Sequence, residues 1–216
     1  MISLYVDSAV RDEVEELMAM GVFRGITTNP KVLQKAGLTP GDLPKVYSWA
    51  VDAGSKEVFF QTWGSTADDI QRRGHELLAI GERVVIKVPA SPAGIQAAGR
   101  LTEEGVPVLL TAVYSAHQAV TAGALGVRYV APYLGQITEG GASGRETVAS
   151  MHRLLRATDS PTRVLAASLR TTADVSFLTE QGVDAFALPV PVARRLFQDT
   201  FTAAAMEQFD GITDSW

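Results

Sequence analysis

One lysine of this chain is embedded in an apolar run of strand length. Lys87 lies within Val84–Pro89, and strand alternation puts it on the face opposite Val84, Ile86 and Val88. If both faces of the strand are covered, burial disfavours the ammonium form and lowers the pKa of the lysine. A neutral amine can attack a carbonyl carbon and form a Schiff base. The alternative is a structural lysine that extends to solvent or pairs with a carboxylate.

Polar side chains also follow most of the other apolar runs. They are Asp7, Thr27, Asn29, Gln61, Thr111, Tyr133, Ser168 and Arg170. A carboxylate such as Asp7 can act as a general acid or base, but it could equally cap a helix that begins near Val10. Asn29 precedes Pro30, so it could be a turn or cap residue. The threonines could simply favour strand structure.

A serine and an arginine after the seventh apolar run could bind phosphate. The hydroxyl of Ser168 and the guanidinium of Arg170 could together bind a phosphate group. In (β/α)8 barrels, phosphate is often bound near the end of the seventh strand. The alternative is that Arg170 is an ordinary surface arginine. The glycine-rich segment Gly140–Gly144 precedes a helical pattern. There, Ser143 and Glu146 fit a capping box, and a glycine-rich helix start can also bind an anion.

The sequence argues against metal and thiol chemistry. The chain has no cysteine, which excludes disulfides, a thiolate nucleophile and a cysteine metal site. His75, His117 and His152 all fall in helical segments, where packing or surface roles are expected. No H-x-H or H-E-x-x-H motif and no carboxylate cluster occurs at a predicted strand end, so we expect no catalytic metal.

The elements that carry these residues alternate regularly between strand and helix. Eight strand-like runs lie at or near 2–6, 25–27, 57–62, 83–88, 106–111, 128–131, 163–167 and 184–188. Helical patterns separate most of them, and the 216-residue length suits an α/β fold of the (β/α)8 TIM-barrel type. An open doubly wound sheet is the alternative, but no G-x-G-x-x-G follows the first strand. Without a linker, we expect one domain over 1–216 with a C-terminal helix at about 199–216.

Composition narrows the class of partner. The formal net charge of −5 argues against nucleic acid, which requires clustered lysine and arginine. The apolar runs fall well short of the roughly 20 residues that cross a bilayer. The first residues, Met1–Asp7, lack the basic start and long apolar core of a secretory signal. We therefore expect a cytoplasmic protein that contacts neither nucleic acid nor membrane.

Several segments together resemble a known family. They are Leu4-Tyr5-Val6-Asp7, Gly25-Ile26-Thr27-Thr28-Asn29-Pro30, Val84-Val85-Ile86-Lys87-Val88-Pro89, Thr111-Ala112-Val113-Tyr114, Tyr129-Val130-Ala131-Pro132-Tyr133 and Val164-Leu165-Ala166-Ala167-Ser168. In order and over essentially the whole chain, they resemble the small transaldolases, and most closely the fructose-6-phosphate aldolase branch. The resemblance implies a TIM barrel, a class I aldol mechanism without metal or organic cofactor, and a homo-oligomeric ring of five or ten subunits.

The resemblance also implies roles for individual residues. Lys87 matches the Schiff-base lysine, and Asp7 matches the carboxylate that handles the proton of the hydroxyl at the bond being broken. Asn29, beside Thr27, matches the amide that holds substrate hydroxyls. Three further residues match the group that positions a catalytic water: Gln61, Thr111 and Tyr133. The phosphate side is matched by Ser168 and Arg170. In the C-terminal helix, apolar residues for a subunit contact are Phe201, Met206, Phe209 and Trp216. Packing of this helix against its own subunit is the alternative.

Two positions separate the branches, and a third position departs from the aldolase pattern. Transaldolases place Glu where Gln61 stands and usually Phe where Tyr133 stands, so this chain has the aldolase pattern. The aldolase has an arginine phosphate ligand three residues after its tyrosine, whereas this chain has Gln136. Arg145 could supply the cation that is missing at Gln136, but the sequence does not show which way the Arg145 side chain points.

The reaction expected from the resemblance is reversible cleavage of fructose 6-phosphate or a related ketose. Its products would be dihydroxyacetone and an aldehyde such as glyceraldehyde 3-phosphate. The alternatives are a transaldolase that transfers the dihydroxyacetone unit between sugar phosphates, and a non-catalytic barrel that binds sugar phosphates.

Overall fold

Eight parallel strands form a closed barrel in the computed structural model, which describes residues 1–214 and 216. In chain order the strands are β1 Ser3–Asp7, β2 Phe23–Thr27, β3 Glu57–Gln61, β4 Val84–Pro89, β5 Val108–Val113, β6 Tyr129–Pro132, β7 Arg163–Ala166 and β8 Ala185–Leu188. Each strand pairs with the next, and β8 closes the barrel on β1. The (β/α)8 prediction is confirmed, and the open doubly wound alternative is wrong.

Helices follow the strands around the barrel. They are α1 Arg11–Met18, α2 Pro30–Lys35, α3 Leu43–Asp52, α4 Ala67–Leu78, α5 Pro92–Glu103, α6 His117–Leu125, α7 Leu134–Glu139, α8 Gly144–Ala157, α9 Thr172–Glu180, α10 Val190–Arg195 and α11 Thr200–Thr213. The short helix α7 was not predicted, because six residues are too few to show helical periodicity. The capping box expected at Ser143 is not formed, although Ser143 does precede α8, because its side chain makes no cap hydrogen bond.

The barrel interior is filled unevenly, and this leaves space at one end. The large rings of Tyr5, Phe59 and Tyr129 are buried inside the barrel. Tyr5 donates a hydrogen bond to the buried carboxylate of Glu57, which is the first residue of β3 and therefore lies at the N-terminal end. Towards the C-terminal ends the interior residues are small, for example the alanines 131, 167 and 187, which line a cavity. The cavity therefore lies where barrel enzymes carry their active sites.

The C-terminal helix α11 stands apart from the barrel core. Asp199 caps it by accepting hydrogen bonds from the backbone amides of Phe201 and Thr202. No residue of α11 is buried, and Phe201 and Phe209 are 85% and 57% exposed. The alternative in which this helix packs its apolar residues on its own barrel is therefore wrong. In the described part of the chain, no helix is long and apolar enough to cross a membrane.

Candidate active site

Lys87 is buried inside the barrel near the end of β4. Only 5% of the residue is exposed, and its Nζ donates a hydrogen bond of 2.7 Å to the carbonyl oxygen of Thr28. Burial lowers the pKa of Lys87 to about 8, against the opposing attraction of the Asp7 carboxylate. The alternative of a lysine that extends to solvent is wrong. Near neutral pH, an appreciable fraction of this amine is neutral and able to attack a carbonyl.

Asp7 lies at the end of β1, beside the end of β2. The β1–β2 register pairs Asp7 with Thr27, and the Thr27 Oγ1 donates a 2.7 Å hydrogen bond to Asp7 Oδ1. Helix α1 begins at Arg11, and Val10 is its N-cap without a side-chain hydrogen bond. The alternative in which Asp7 caps this helix is therefore wrong. Its carboxylate lines the same cavity as Lys87.

The segment after β2 holds both Lys87 and helix α2 in place. The backbone N–H and the Oγ1 of Thr28 both donate to the carbonyl oxygen of Phe59, at 3.1 and 2.9 Å. These bonds hold Thr28, whose carbonyl oxygen accepts the hydrogen bond from Lys87 Nζ. Asn29 Oδ1 accepts from two backbone amides and caps α2, while Asn29 also lines the cavity. The cap interpretation is confirmed. The contribution of Thr28 was missed because it is made by a backbone carbonyl.

Tyr133 and Thr111 lie side by side at the C-terminal ends of the neighbouring strands β5 and β6. The Tyr133 hydroxyl and Thr111 Oγ1 are 2.7 Å apart and share a hydrogen bond. Burial raises the pKa of the Tyr133 phenol, although the bond to Thr111 opposes this, so the phenol stays neutral near neutral pH. The ring of Tyr114 packs edge-on against Tyr133, with centroids 5.6 Å apart. Gln61 is the register partner of Lys87 in the β3–β4 pair. It lines the outer mouth beside Tyr133 rather than the inner cavity.

The backbone is strained at two points around this end of the barrel. Ala112 and Ser168 have φ angles of +56° and +58°, in a region that residues other than glycine rarely occupy. Ala112 follows Thr111 where the β5–β6 register shifts, and Ser168 follows β7 on the cavity wall. Such strain concentrates at functional sites, where the surrounding structure holds it in place.

The inner cavity has a volume of about 180 Å³ and collects most of the predicted residues. Seven of the nine line it: Asp7, Thr27, Asn29, Lys87, Tyr133, Ser168 and Arg170. Thr111 reaches it through Tyr133, and Gln61 lies at the mouth. The cavity therefore holds a buried amine, a carboxylate, a phenol and several neutral hydrogen-bonding groups.

Three side chains on or near the phosphate side have protein partners. Arg170 is half-exposed, lies against Gly135 and forms an ion pair with Glu139, with Nη2–Oε1 at 2.8 Å. Gln136 Oε1 accepts a 3.0 Å hydrogen bond from the Tyr114 hydroxyl. Arg145 does not line the cavity, because its Nε is held by Asp174 at 2.9 Å. The sequence did not show these pairings, since each partner lies on another element.

No metal site is apparent in the part of the chain that the structure describes. Within residues 1–214 and 216, no group of three or more histidine, aspartate or glutamate side chains could hold an ion. His75 is on the surface, 2.6 Å from Glu104. The side chains around Lys87 offer acid–base and hydrogen-bonding chemistry.

Comparison with known proteins decides the family. The sequence profile described as Transaldolase/Fructose-6-phosphate aldolase matches residues 4–215. The chain belongs to the transaldolase/fructose-6-phosphate aldolase family. A "Probable transaldolase" of Cytophaga hutchinsonii is 31% identical over 206 residues, covering 95% of this chain and 94% of that protein. Another of Thermus thermophilus is 30% identical over 212 residues, with 95% of each chain covered.

The fold of this family member also occurs in solved structures of low sequence identity. A thiamine phosphate pyrophosphorylase from Pyrococcus furiosus has a TM-score of 0.63 at 15% identity, covering 89% of this chain and 87% of that one. A flavocytochrome b2 variant has a TM-score of 0.60 at 12% identity, covering 88% of this chain and 56% of that one. These likenesses concern the barrel alone. Family membership makes the chain an enzyme with aldolase-type activity.

Proposed function

We propose that this protein is a class I aldolase that cleaves fructose 6-phosphate or a related ketose reversibly. The products are dihydroxyacetone and an aldehyde such as glyceraldehyde 3-phosphate. The observation that supports this most directly is the burial of Lys87 in one cavity with Asp7, with a lysine pKa of about 8. A partly neutral amine and a carboxylate are the two groups that a Schiff-base aldol reaction needs.

In this proposal Lys87 forms the covalent intermediate. Its neutral Nζ adds to the ketone carbon, and uptake of one proton with loss of water leaves an iminium. The C3–C4 bond then breaks, its electron pair moves into the iminium to form an enamine, and Asp7 takes the proton of the C4 hydroxyl. The aldehyde leaves. Protonation of the enamine and hydrolysis of the imine release dihydroxyacetone and the free lysine.

The water that protonates the enamine would be held by Gln61, Thr111 and Tyr133. The hydrogen bond between Thr111 and Tyr133 orients the phenol of Tyr133. Because the pKa of this phenol is raised, the phenol keeps its proton and can donate it. The amide of Gln61 cannot take up a proton as a carboxylate can. Gln61 together with Tyr133 is the pattern of the aldolase branch. This pattern favours free release of dihydroxyacetone over its transfer to an acceptor.

A second candidate is transfer of the three-carbon unit to an aldose. It is favoured by the relatives, whose names are "Probable transaldolase" at 29–31% identity. The two reactions share every step up to the enamine, so they differ only in what consumes it. Measuring products from fructose 6-phosphate with and without erythrose 4-phosphate separates them. Free dihydroxyacetone in both cases supports the aldolase, and product only with the acceptor supports the transaldolase.

Borohydride trapping tests the proposed mechanism. Incubation with dihydroxyacetone and borohydride should add one reduced three-carbon unit, located at Lys87 by peptide mass. Lys87→Met should abolish labelling and turnover while circular dichroism shows an intact fold. Lys56→Met, which removes a lysine before β3, is the matched control and should label normally. Labelling that persists in Lys87→Met would falsify the mechanism, and absence of any labelling in the unmodified protein would support a non-catalytic barrel.

We also propose that the chain forms a homo-oligomeric ring through α11. Phe201, Met206 and Phe209 are 85%, 50% and 57% exposed on this helix. Burying these exposed apolar side chains against a second copy of the chain would lower the free energy of the assembly. Light scattering should give a pentamer or decamer, and the double substitution Phe201→Ser with Phe209→Ser should shift the mass towards the monomer. A monomeric unmodified protein would contradict this.

A further inference from the structure

The loop after β7, beside helix α7, carries the cation and the backbone amides that a phosphate group would need. In barrels of this type the loops after strands seven and eight commonly bind phosphate. Here the candidates are the guanidinium of Arg170 and the backbone amides of Arg170 and Thr171, at the entrance to α9. Each of them is already bound to a carboxylate of the protein itself.

Glu139 binds the guanidinium. Glu139 is the last residue of α7, and its Oε1 accepts from both Nε and Nη2 of Arg170, at 3.2 and 2.8 Å. Arg170 lies flat against the α-carbon of Gly135, because a Cβ added there would be 2.9 Å from Nε. The glycine thus leaves room for the guanidinium, and the carboxylate holds its charge on the α7 side of the cavity.

Asp174 binds the backbone amides. Its Oδ2 accepts from the N–H of Arg170 at 3.2 Å and from the N–H of Thr171 at 2.9 Å. Its Oδ1 accepts from Nε of Arg145 at 2.9 Å. The residue is 6% exposed, so this carboxylate is a buried part of the loop. The arginine that could have compensated on the phosphate side is therefore bound as well.

The charges on the cavity wall consequently cancel. Arg170 is balanced by Glu139, and Lys87 lies near Asp7. The position expected to supply a second arginine is Gln136, whose carbonyl is taken by the Tyr114 hydroxyl. Its remaining NH₂ is a neutral donor, and so is the Ser168 hydroxyl. Neutral donors suit hydroxyl and carbonyl groups of a substrate, whereas a dianion is bound more strongly by unpaired positive charge.

We propose that this site takes an unphosphorylated hydroxyaldehyde as its acceptor, and that Glu139 determines this specificity. Glu139 and Asp174 occupy with their own carboxylates the donors that a substrate phosphate would use. The inference rests on the proposed aldolase function and names the substrate class of the same site. Among the ketoses proposed above, it favours those that give an unphosphorylated aldehyde, and fructose 6-phosphate is turned over no faster than these. A phosphorylated aldehyde must displace Glu139 from Arg170 or place its charge beside that carboxylate.

The test is the ratio of kcat/KM for glyceraldehyde 3-phosphate to kcat/KM for glyceraldehyde, each condensed with dihydroxyacetone. In the unmodified protein this ratio should be close to one or lower. Glu139→Gln removes the carboxylate charge from an exposed side chain and should raise the ratio by roughly three- to tenfold at low salt. The gain should shrink at higher ionic strength.

Glu16→Gln is the matched control. Glu16, near the end of α1, also binds Nε and Nη2 of an arginine, Arg194, with one carboxylate oxygen for each, and it lines neither the inner cavity nor its mouth. Removing it changes the net charge equally and should leave the ratio unchanged. The inference would be overturned by a strong phosphate preference in the unmodified protein, or by an unchanged ratio in Glu139→Gln. In either case, turnover of glyceraldehyde would still support the aldolase proposal.

Binding of inorganic phosphate gives a readout that does not depend on turnover. Calorimetry should show that Glu139→Gln binds phosphate about three- to tenfold more tightly than the unmodified protein. The double variant that combines Glu139→Gln with Arg170→Gln should lose this gain. Equal phosphate binding before and after removal of Glu139 would overturn the inference. If neither aldehyde is consumed and no imine forms, the proposed function fails, whatever the phosphate titration shows.

Discussion

The Nζ of Lys87 donates a 2.7 Å hydrogen bond to the backbone carbonyl of Thr28. This carbonyl is held in turn, because the Thr28 hydroxyl and N–H both bind the Phe59 carbonyl. Thr28 is thus a positioning residue, which links the ends of β2 and β3 to the amine on β4.

Thr28→Val removes the hydroxyl and keeps the shape of the side chain. One hydrogen bond contributes about 1 kcal/mol, so we expect roughly fivefold slower imine formation at a pH high enough for the amine to be neutral in both proteins. Because the carbonyl then holds the ammonium less firmly, the pKa of Lys87 should fall and the rising part of the pH–rate profile should move to lower pH. The measurement is the pH profile of borohydride trapping. Thr162→Val removes a buried hydroxyl bonded to the Val127 carbonyl at the other end of the barrel and should leave this profile unchanged. Equal profiles in all three proteins would show that Thr28 has only a structural role.

Asp7→Asn should separate proton transfer from imine formation. If Asp7 moves the hydroxyl proton, turnover should fall by about 10²–10⁴-fold, the usual span for a general acid or base. Trapping at Lys87 should survive. Lys87 reacts as the neutral amine, so its rate rises with pH through a pKa of about 8. The Asp7 carboxylate raises that pKa, and its removal should shift the rise to lower pH. Thr27→Val, which removes only the hydrogen bond to Asp7, is the control for altered geometry. Normal turnover in Asp7→Asn would contradict the proposed role.

Gln61→Glu should change how the enamine is consumed. A carboxylate at the cavity mouth can take up a proton where the amide cannot, and it matches the transaldolase pattern. We expect the ratio of transfer to free cleavage to rise by at least about tenfold, a modest effect for a proton-transfer group. Products from fructose 6-phosphate are measured with erythrose 4-phosphate present, and Gln61→Met serves as the control without a polar group. A ratio that stays the same would mean that this position does not separate the branches.

Gln136→Arg should raise the preference for phosphorylated acceptors. A charge-assisted hydrogen bond contributes about 1.5–3 kcal/mol and a neutral one about 1, so the gain should be near tenfold in kcat/KM. The substitution also removes the acceptor of the Tyr114 hydroxyl. Gln136→Leu loses that same bond without adding charge, and it should not show the gain. If both variants behave alike, the change comes from Tyr114 and not from the cation.

Much of the barrel and most of the candidate site could be predicted from the sequence, because the signals are local. Period-two alternation places Lys87 on the strand face opposite Val84, Ile86 and Val88, and each strand-like run ends near a polar residue of the candidate site. The carboxyl ends of parallel strands meet at one end of a barrel, so Asp7, Lys87 and Tyr133 gather there once the topology is known. These predictions need only neighbours in the chain and one rule of packing.

Pairings between distant residues were decided by the tertiary structure alone. The Lys87–Thr28 bond joins residues 59 positions apart, and the Arg170–Glu139 pair joins residues 31 apart. Helix α7, which presents Glu139, is too short to leave a periodic pattern. Sequence by itself determined the barrel, its strand ends and which side chains could react. The tertiary structure decided which carbonyl holds the amine and which carboxylate neutralises the arginine, because hydrogen bonds and ion pairs depend on distances of a few ångströms between separate loops.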